Sequence, residues 1–442
     1  MPLSKSLQTQ PFVLTITVLS LALAFGGGQG NLGDTLAQLT ALALLIVLIY
    51  RYPGMEYWPK AGVLVLFLVL PLLLFLLPWP EVLGQAGLAR GNLNGLLSPI
   101  IGDLNNQGSL TPIATERALF WLLPACAVYL ACLQSSFSQK KRLATVLVFW
   151  VFVGAVLGLA QKAGGVDSIL YFFSNTNRNS SVGLFANANH YAISMAVCLP
   201  LIWAILTWAF NQSAERHVNP LWFITFGAVA IIFILGFMLS GSRAGLALGM
   251  FGCLLMLPAV ISADQRKGAK HWMFAILAVG LFLAVQVGFY FITLNFQDNP
   301  LVDGRWQLNA YTKLAADNFA PVGSGPGSFW FVFPQYGGLF TGAYIANHAH
   351  NEYLELWLEM RWLFVFSAIP LVVAYAFQGF KIWFRSKTYS VESTLLARAA
   401  WIGLLLLIIH SSVDYPLRTT TLLTVAGLLA AFILPESADF QD

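Results

Sequence analysis

The sequence predicts an all-α polytopic membrane protein of about twelve transmembrane helices. Three observations carry this. Of the 442 residues 58% are hydrophobic and only 10% are charged, against about 25% charged in a soluble globular protein. The mean hydropathy is +0.73. Apolar runs near the roughly 20 residues needed to cross the hydrocarbon core recur along the whole chain.

The runs lie near 11–27, 33–50, 61–79, 117–134, 143–160, 190–210, 221–240, 243–262, 272–294, 361–380, 396–412 and 418–435. The first follows a short start holding only Lys5. Cleavage as a signal peptide is disfavoured, because "AFGGGQGNLGD" leads straight into the second run. Almost no loop separates the runs that meet at Ser240 to Arg243, and the last begins just after Pro416. Lysine and arginine concentrate in segments 51–60, 138–142, 211–220, 264–270 and 381–387. By the positive-inside bias these are cytoplasmic, which sets both termini inside. No repeat or low-complexity linker is visible, so residues 1–442 read as one integral membrane domain. One long outer loop, 295–355, precedes the tenth span.

Composition excludes some classes. The net charge of +4 gives no footprint for nucleic acid. Cys126, Cys132, Cys198 and Cys253 sit inside apolar runs without metal or disulfide spacing and read as small core residues.

Polar chemistry collects in the outer segments. In "SGSRAGL", 240–246, Arg243 tips a helix–helix turn; it either snorkels to lipid phosphate or grips an anionic substrate group. In "DGRWQLNAYTKLAADNFAPVGSGPGSF", 303–329, Arg305 opens a short amphipathic helix from Trp306 to about Asn318 and has the same two readings. The glycines that follow, Gly323, Gly325 and Gly327, suit tight backbone packing better than phosphate cradling, since no Lys–Ser/Thr pair follows them.

The densest cluster is "NHAHNEYLELWLEMRWL", 347–363. Helical spacing sets His350, Leu354, Trp357 and Arg361 near one face, and His348, Glu352, Glu355 and Glu359 near another. The His-x-His pair lacks the i, i+4 spacing of a zinc helix, so no metal is assigned. Histidine, with an unperturbed pKa near 6.5, suits a general base at neutral pH, and Asn351 suits a hydroxyl or sugar contact. A polar helix cap explains the asparagine and the glutamates equally well, but not two histidines. Asn187, Asn189 and His190 open one helix, while Asp414 and Arg418 flank a proline turn at the end of another. Each fits a cap or a local ion pair unless they converge on one outer cavity.

"SGSRAGLALG", "VGSGPGSF", "NHAHNEYLELWLEMRWL" and "HSSVDYPLR" occur in that order, with spans at matching places. Together they resemble the O-antigen ligase and O-antigen polymerase superfamily of bacterial inner-membrane proteins, most closely over 180–420. The resemblance implies a metal-independent glycosyltransferase without cofactor. It would take a glycan from an undecaprenyl-pyrophosphate carrier at the periplasmic face and pass it to an acceptor glycan, lipid A core or a protein, the first two in surface polysaccharide or O-antigen biosynthesis. By position it assigns pyrophosphate binding to Arg243 and Arg305 and the base to His350. Asn351, His348, Asp414 and Arg418 join them as substrate-side candidates. The bilayer is the obvious partner, and room is left for a chain-length regulator. One departure is "EMRW", where a Glu-x-Gly pattern is common in the family, so that Arg361 is either a further phosphate contact or a snorkelling residue. Polymerase and ligase differ only in acceptor and stay open. The chief alternative is a transporter or flippase of lipid-linked glycan, which would show midplane charges and repeat symmetry; a third is a non-catalytic scaffold, in which Arg243, Arg305 and His350 would point apart.

Overall fold

The computed structural model describes residues 5–28, 32–54, 56, 58–93, 106–174, 176–212, 220–263, 304–337, 346–386 and 389–434. The main helices are α1 (Lys5–Phe25), α2 (Leu32–Arg51), α3 (Leu64–Leu76), α4 (Pro112–Leu133), α5 (Phe137–Ala163), α6 (Ala188–Gln212), α7 (Pro220–Ser240), α8 (Arg243–Ala263), α9 (Gly304–Asn318), α10 (Glu352–Met360), α11 (Trp362–Phe384), α12 (Val391–His410) and α13 (Thr420–Phe432). No strand is formed among the described residues. Apolar chain in a bilayer must satisfy its backbone internally, and a helix does so residue by residue.

Eleven of the twelve predicted runs carry a helix; the twelfth, 272–294, lies outside the described residues. Among the described residues seven helices are long and apolar enough to cross a membrane: α2, α4, α5, α6, α8, α11 and α12. Gln10–Phe25, Lys60–Leu76, Gly227–Ser240 and Thr420–Phe432 are shorter. The expectation of twelve full-length spans is therefore met only in part. The 13-residue α13 spans about 20 Å at the helical rise, short of the roughly 30 Å of hydrocarbon.

Burial separates the centre of the bundle from its rim. The apolar windows of α6 and α12 are 78% and 72% buried, that of α11 only 11%. Small residues bring the central helices together, as is usual in membrane bundles. Gly245, Gly249 and Gly252 lie on one face of α8. Gly245 meets Ala192 of α6, and a Cβ on Gly252 would come within 2.8 Å of Leu406 on α12. At the other end of the same pair, Asn211 of α6 donates to the Ala263 carbonyl at 3.0 Å. Hence α6 and α8 run parallel, and their first turns, with His190 and Arg243, share one end.

At that end a second, smaller core forms from Ala89, Leu308, Ala315, Ala316, Phe319, Phe329, Val332, Phe333, Ala349 and Leu358. It roofs the bundle with α9, α10 and the glycine loop. Gly323, Gly325 and Gly327 have φ of +91°, +107° and +78°. A Cβ on Gly323 would lie 2.5 Å from the Glu359 carbonyl, which is the tight packing expected of them. Arg90 pins the roof. Its guanidinium is buried and donates to the carbonyls of Gly323 (2.8 Å), Gly84 (3.2 Å), Gln107 (3.1 Å) and Gly108. Burial lowers its pKa to about 10, so it stays charged at neutral pH.

Candidate functional site

The histidine segment is not one helix. Asn351 is extended (φ −153°, ψ 100°), and its side chain accepts from the Leu354 N–H at 3.2 Å, capping α10. His350 has φ +50°, a conformation rarely adopted by non-glycine residues. The helical-face reading of His348 and His350 is thus corrected: both precede the helix, because Asn351 fixes its start. Arg361 ends α10 with φ +46°.

From Glu352 onward the predicted face holds. Glu352, Glu355 and Glu359 form one stripe, and all three are buried. The stripe faces Arg418, presented by a single 3₁₀ turn, Pro416–Arg418. Arg418 donates through Nη2 to Glu359 Oε2 at 2.9 Å; it lies 3.6 Å from Glu355 Oε1 and 3.8 Å from Glu352 Oε1. Its side chain is 9% exposed. His348 Nδ1 is 2.8 Å from Glu355 Oε1, and the Ala349 N–H donates to Glu355 Oε2 at 2.8 Å. Ser411 donates to Glu352 at 2.9 Å, and the Phe329 N–H donates to Glu359 at 3.3 Å.

One guanidinium cannot neutralise three buried carboxylates, so the three separate in acidity. Burial pushes Glu352 up to about 7, against the pull of Arg418. Glu359 is raised by burial as well. Burial acts on Glu355 too, but His348 and Arg418 outweigh it and hold this carboxyl down at about 2. Arg418 is buried, yet its three carboxylates raise its pKa further.

Residues 411–418 connect this stripe to a second cluster. Asp414 is fully buried. Asn189 donates to its Oδ2 at 2.6 Å, and the Tyr415 N–H donates to its Oδ1 at 2.9 Å. Oδ1 also faces His350 Nδ1 at 3.3 Å and His190 Nε2 at 3.8 Å. Burial would raise the Asp414 carboxyl, but the two imidazoles hold it well below the usual carboxylate range. Three imidazoles surround the Tyr415 ring, with centroids at 4.2 Å (His348), 4.8 Å (His190) and 4.9 Å (His350). Tyr415 Oη accepts from Asn347 (3.2 Å) and Asn187 (3.4 Å). Burial, then the Asp414 charge, push its phenol up.

The sequence candidates therefore sort into layers. His350 is the half-exposed member, with 26% of its side chain accessible. Arg305, second residue of α9, is half-buried and within electrostatic range of His410, the last residue of α12. Arg243 is exposed at the first position of α8, two residues before Gly245, which packs on Ala192 of the His190 turn. Asn351 caps α10. His348, Asp414 and Arg418 lie beneath this surface and are engaged by other protein groups. Arg361 stands apart: it stacks on Trp357 at 4.3 Å and lies 3.8 Å from Asp317. Among the described residues no group of three or more His, Cys, Asp or Glu is arranged to hold a metal ion.

Tyr415 escaped sequence reasoning, because nothing about a tyrosine beside a proline marks it as the hub of three histidines. His190, Asn187 and Asn189 were visible as polar residues opening an apolar run, and they do converge with Asp414.

Residues 228–360 match the family model described as O-antigen ligase. This bears out the resemblance over that segment, which holds "SGSRAGLALG", "VGSGPGSF" and the histidine segment as far as residue 360; "HSSVDYPLR" lies outside it. The matched segment holds Arg243, Arg305, His348, His350 and Asn351. It excludes His190, Asn189, Asp414, Tyr415 and Arg418. No curated protein and no solved structure matches the chain.

Proposed function

We propose that the chain is an inner-membrane glycosyltransferase of surface-polysaccharide or O-antigen biosynthesis, acting as polymerase or ligase. It moves a glycan from undecaprenyl pyrophosphate to an acceptor hydroxyl at the periplasmic face, with both chain termini in the cytoplasm. The observation that carries this reading is the half-exposed His350 with its Nδ1 on the buried Asp414. A carboxylate at Nδ1 selects the tautomer with its proton there and leaves Nε2 basic. The 3.3 Å contact is poorly aligned for a hydrogen bond, as catalytic contacts often are before substrate tightens them.

The acceptor oxygen attacks the anomeric carbon while its proton passes to His350 Nε2. The bond from that carbon to the pyrophosphate oxygen breaks, and its electron pair leaves with the carrier. In-line displacement inverts the anomeric centre. Arg305 and Arg243 receive the charge growing on the leaving group through charge-assisted hydrogen bonds. Asp414 and Arg418 are better placed to hold the site than to touch the substrate: Asp414 orients His350, and Arg418 anchors α10.

The test uses purified protein in detergent with an undecaprenyl-pyrophosphate-linked oligosaccharide and EDTA, beside His350→Ala. Longer lipid-linked chains without added acceptor identify a polymerase. Transfer only after lipid A core is added identifies a ligase. Movement of the substrate across liposomes with no transfer by the wild type overturns the proposal in favour of a flippase.

A further inference from the structure

The Asp414 carboxylate carries more imidazole than one base requires. It is fully buried, so its charge must be compensated by neighbours. Oδ2 is taken by Asn189 at 2.6 Å. Oδ1 takes the Tyr415 N–H and faces two imidazoles, His350 and His190. Only His350 reaches the surface. His190 is buried, and its Nε2 has no hydrogen-bond partner among the described residues. A buried polar nitrogen left unpaired costs about 1–3 kcal/mol, so its placement calls for a reason.

Its surroundings aim it at Asp414. The ring stands edge-on to Tyr415, at 87° and 4.8 Å. It follows Asn189 at the start of α6, so neighbouring residues approach both oxygens of one carboxylate. Asn187, three positions before His190, reaches the Tyr415 hydroxyl. A shift of about 0.8 Å would bring Nε2 to hydrogen-bond distance of Oδ1. The other titratable or charged groups around this pair are His350, His410, Tyr415 and the His348–Glu355 pair, with Arg305 acting on His410.

We propose that His190 is a positioning residue for the transfer reaction: it is the second imidazole on Asp414 and holds that carboxylate charged and aimed while His350 turns to the acceptor. During the reaction His350 Nε2 takes the acceptor proton and becomes cationic. Its bond to Asp414 then has to form without the carboxylate swinging or protonating. Asn189 and the Tyr415 N–H fix direction, and His190 supplies a donor from the side opposite the substrate. No proton is gained or lost by His190 over the cycle. This rests on the transferase reading, and it assigns a role to a residue outside the family-matched segment.

The experiment is a double-mutant cycle on the full chain in detergent, with rate and donor KM read on the lipid-linked oligosaccharide. His190→Leu, which fills the space without a donor, is expected to lower kcat about 10- to 100-fold, the range of outer orienting partners, with donor KM unchanged. His190→Gln keeps an N–H at similar reach and is expected to retain most of the rate. In an Asp414→Asn background the leucine substitution is expected to add little, because no charge remains to hold. Equal losses for leucine and glutamine, or an undiminished loss in the Asp414→Asn background, overturn the proposal and leave His190 as packing. If the leucine variant aggregates, His190→Asn, too short to reach Oδ1, replaces it with the same expectations. An inactive wild type overturns the transferase reading instead, so the two failures are told apart.

Discussion

Two histidine–carboxylate pairs flank the Tyr415 ring, and they differ in closeness, exposure and what stands behind them. On one side His350 meets Asp414 at 3.3 Å; on the other His348 meets Glu355 at 2.8 Å, both through Nδ1. The His350 side chain is 26% accessible, the His348 side chain 10%. Behind Asp414 stand Asn189 and His190, which hold one carboxylate and leave the far side of His350 open. Behind Glu355 stand Arg418, Glu352 and Glu359, which close over their charges. Similar residues thus make an edge where one imidazole is partly open to solvent, and a charge clamp where every group is met. Position relative to the surface, not residue type, decides which pair is accessible, and on the proposed function it is the open one that carries the base.

The sharpest way to break this comparison is to remove one cation from the closed side. Arg418→Ala leaves three buried carboxylates without their guanidinium and should cost about 3–5 kcal/mol of stability. The check is loss of folded, monodisperse protein in detergent, before any question of activity. On the open side the effect should be the reverse in kind. His350→Ala is expected to lower the transfer rate about 10²- to 10⁴-fold, the usual weight of a general base. Its thermal unfolding should stay where it was, since the side chain is partly in solvent.

pH separates the two sides more finely. Glu352 is held near 7 in the fold, above its unfolded value. The folded state therefore keeps a proton that the unfolded chain gives up, and stability falls as pH rises from about 4.5 to 7. Glu352→Gln should remove that fall, raising the melting temperature above pH 7 and changing it little below pH 4.5. Glu355 has the opposite sign: held down at about 2, it stabilises the fold above the ordinary carboxylate range, and that contribution should disappear as pH falls from about 4.5 to 2. Thermal unfolding followed across pH in wild type and Glu352→Gln reads both. The smallest effect belongs to the hub. Tyr415→Phe keeps the ring against its three histidines and loses only the hydroxyl that accepts from Asn187 and Asn347. It should cost about 1 kcal/mol, measured as a modest drop in melting temperature with the transfer rate largely kept.

Much of this molecule is legible from hydropathy alone. Apolar runs of membrane length had to become helices, and eleven of them did. Gly245, Gly249 and Gly252 give α8 one small face, but which helices it meets and that α6 runs parallel to it are set only by the packing. The amphipathic pattern of 306–318 gave α9, and the lack of a Lys–Ser/Thr pair turned Gly323, Gly325 and Gly327 from phosphate binders into packing glycines. The stripe of Glu352, Glu355 and Glu359 followed from helical spacing. What it faced did not, because Arg418 is nearly sixty residues away and its partners are chosen by how α10 lies across the turn after α12.

The sequence by itself determined the helical membrane class and the gathering of polar residues in segments 177–192, 303–329, 347–363 and 410–418, since these depend on local composition and order, while the choice of His350 over His348 as the candidate base came from the family resemblance. Only the tertiary structure decided that His348 and His350 precede the helix, that Asp414 serves two imidazoles, that Arg418 is spent on glutamates, and that Tyr415 lies at the centre. Each of these depends on which distant groups share a desolvated space, where a buried charge must find its partner. No spacing along the chain records that choice.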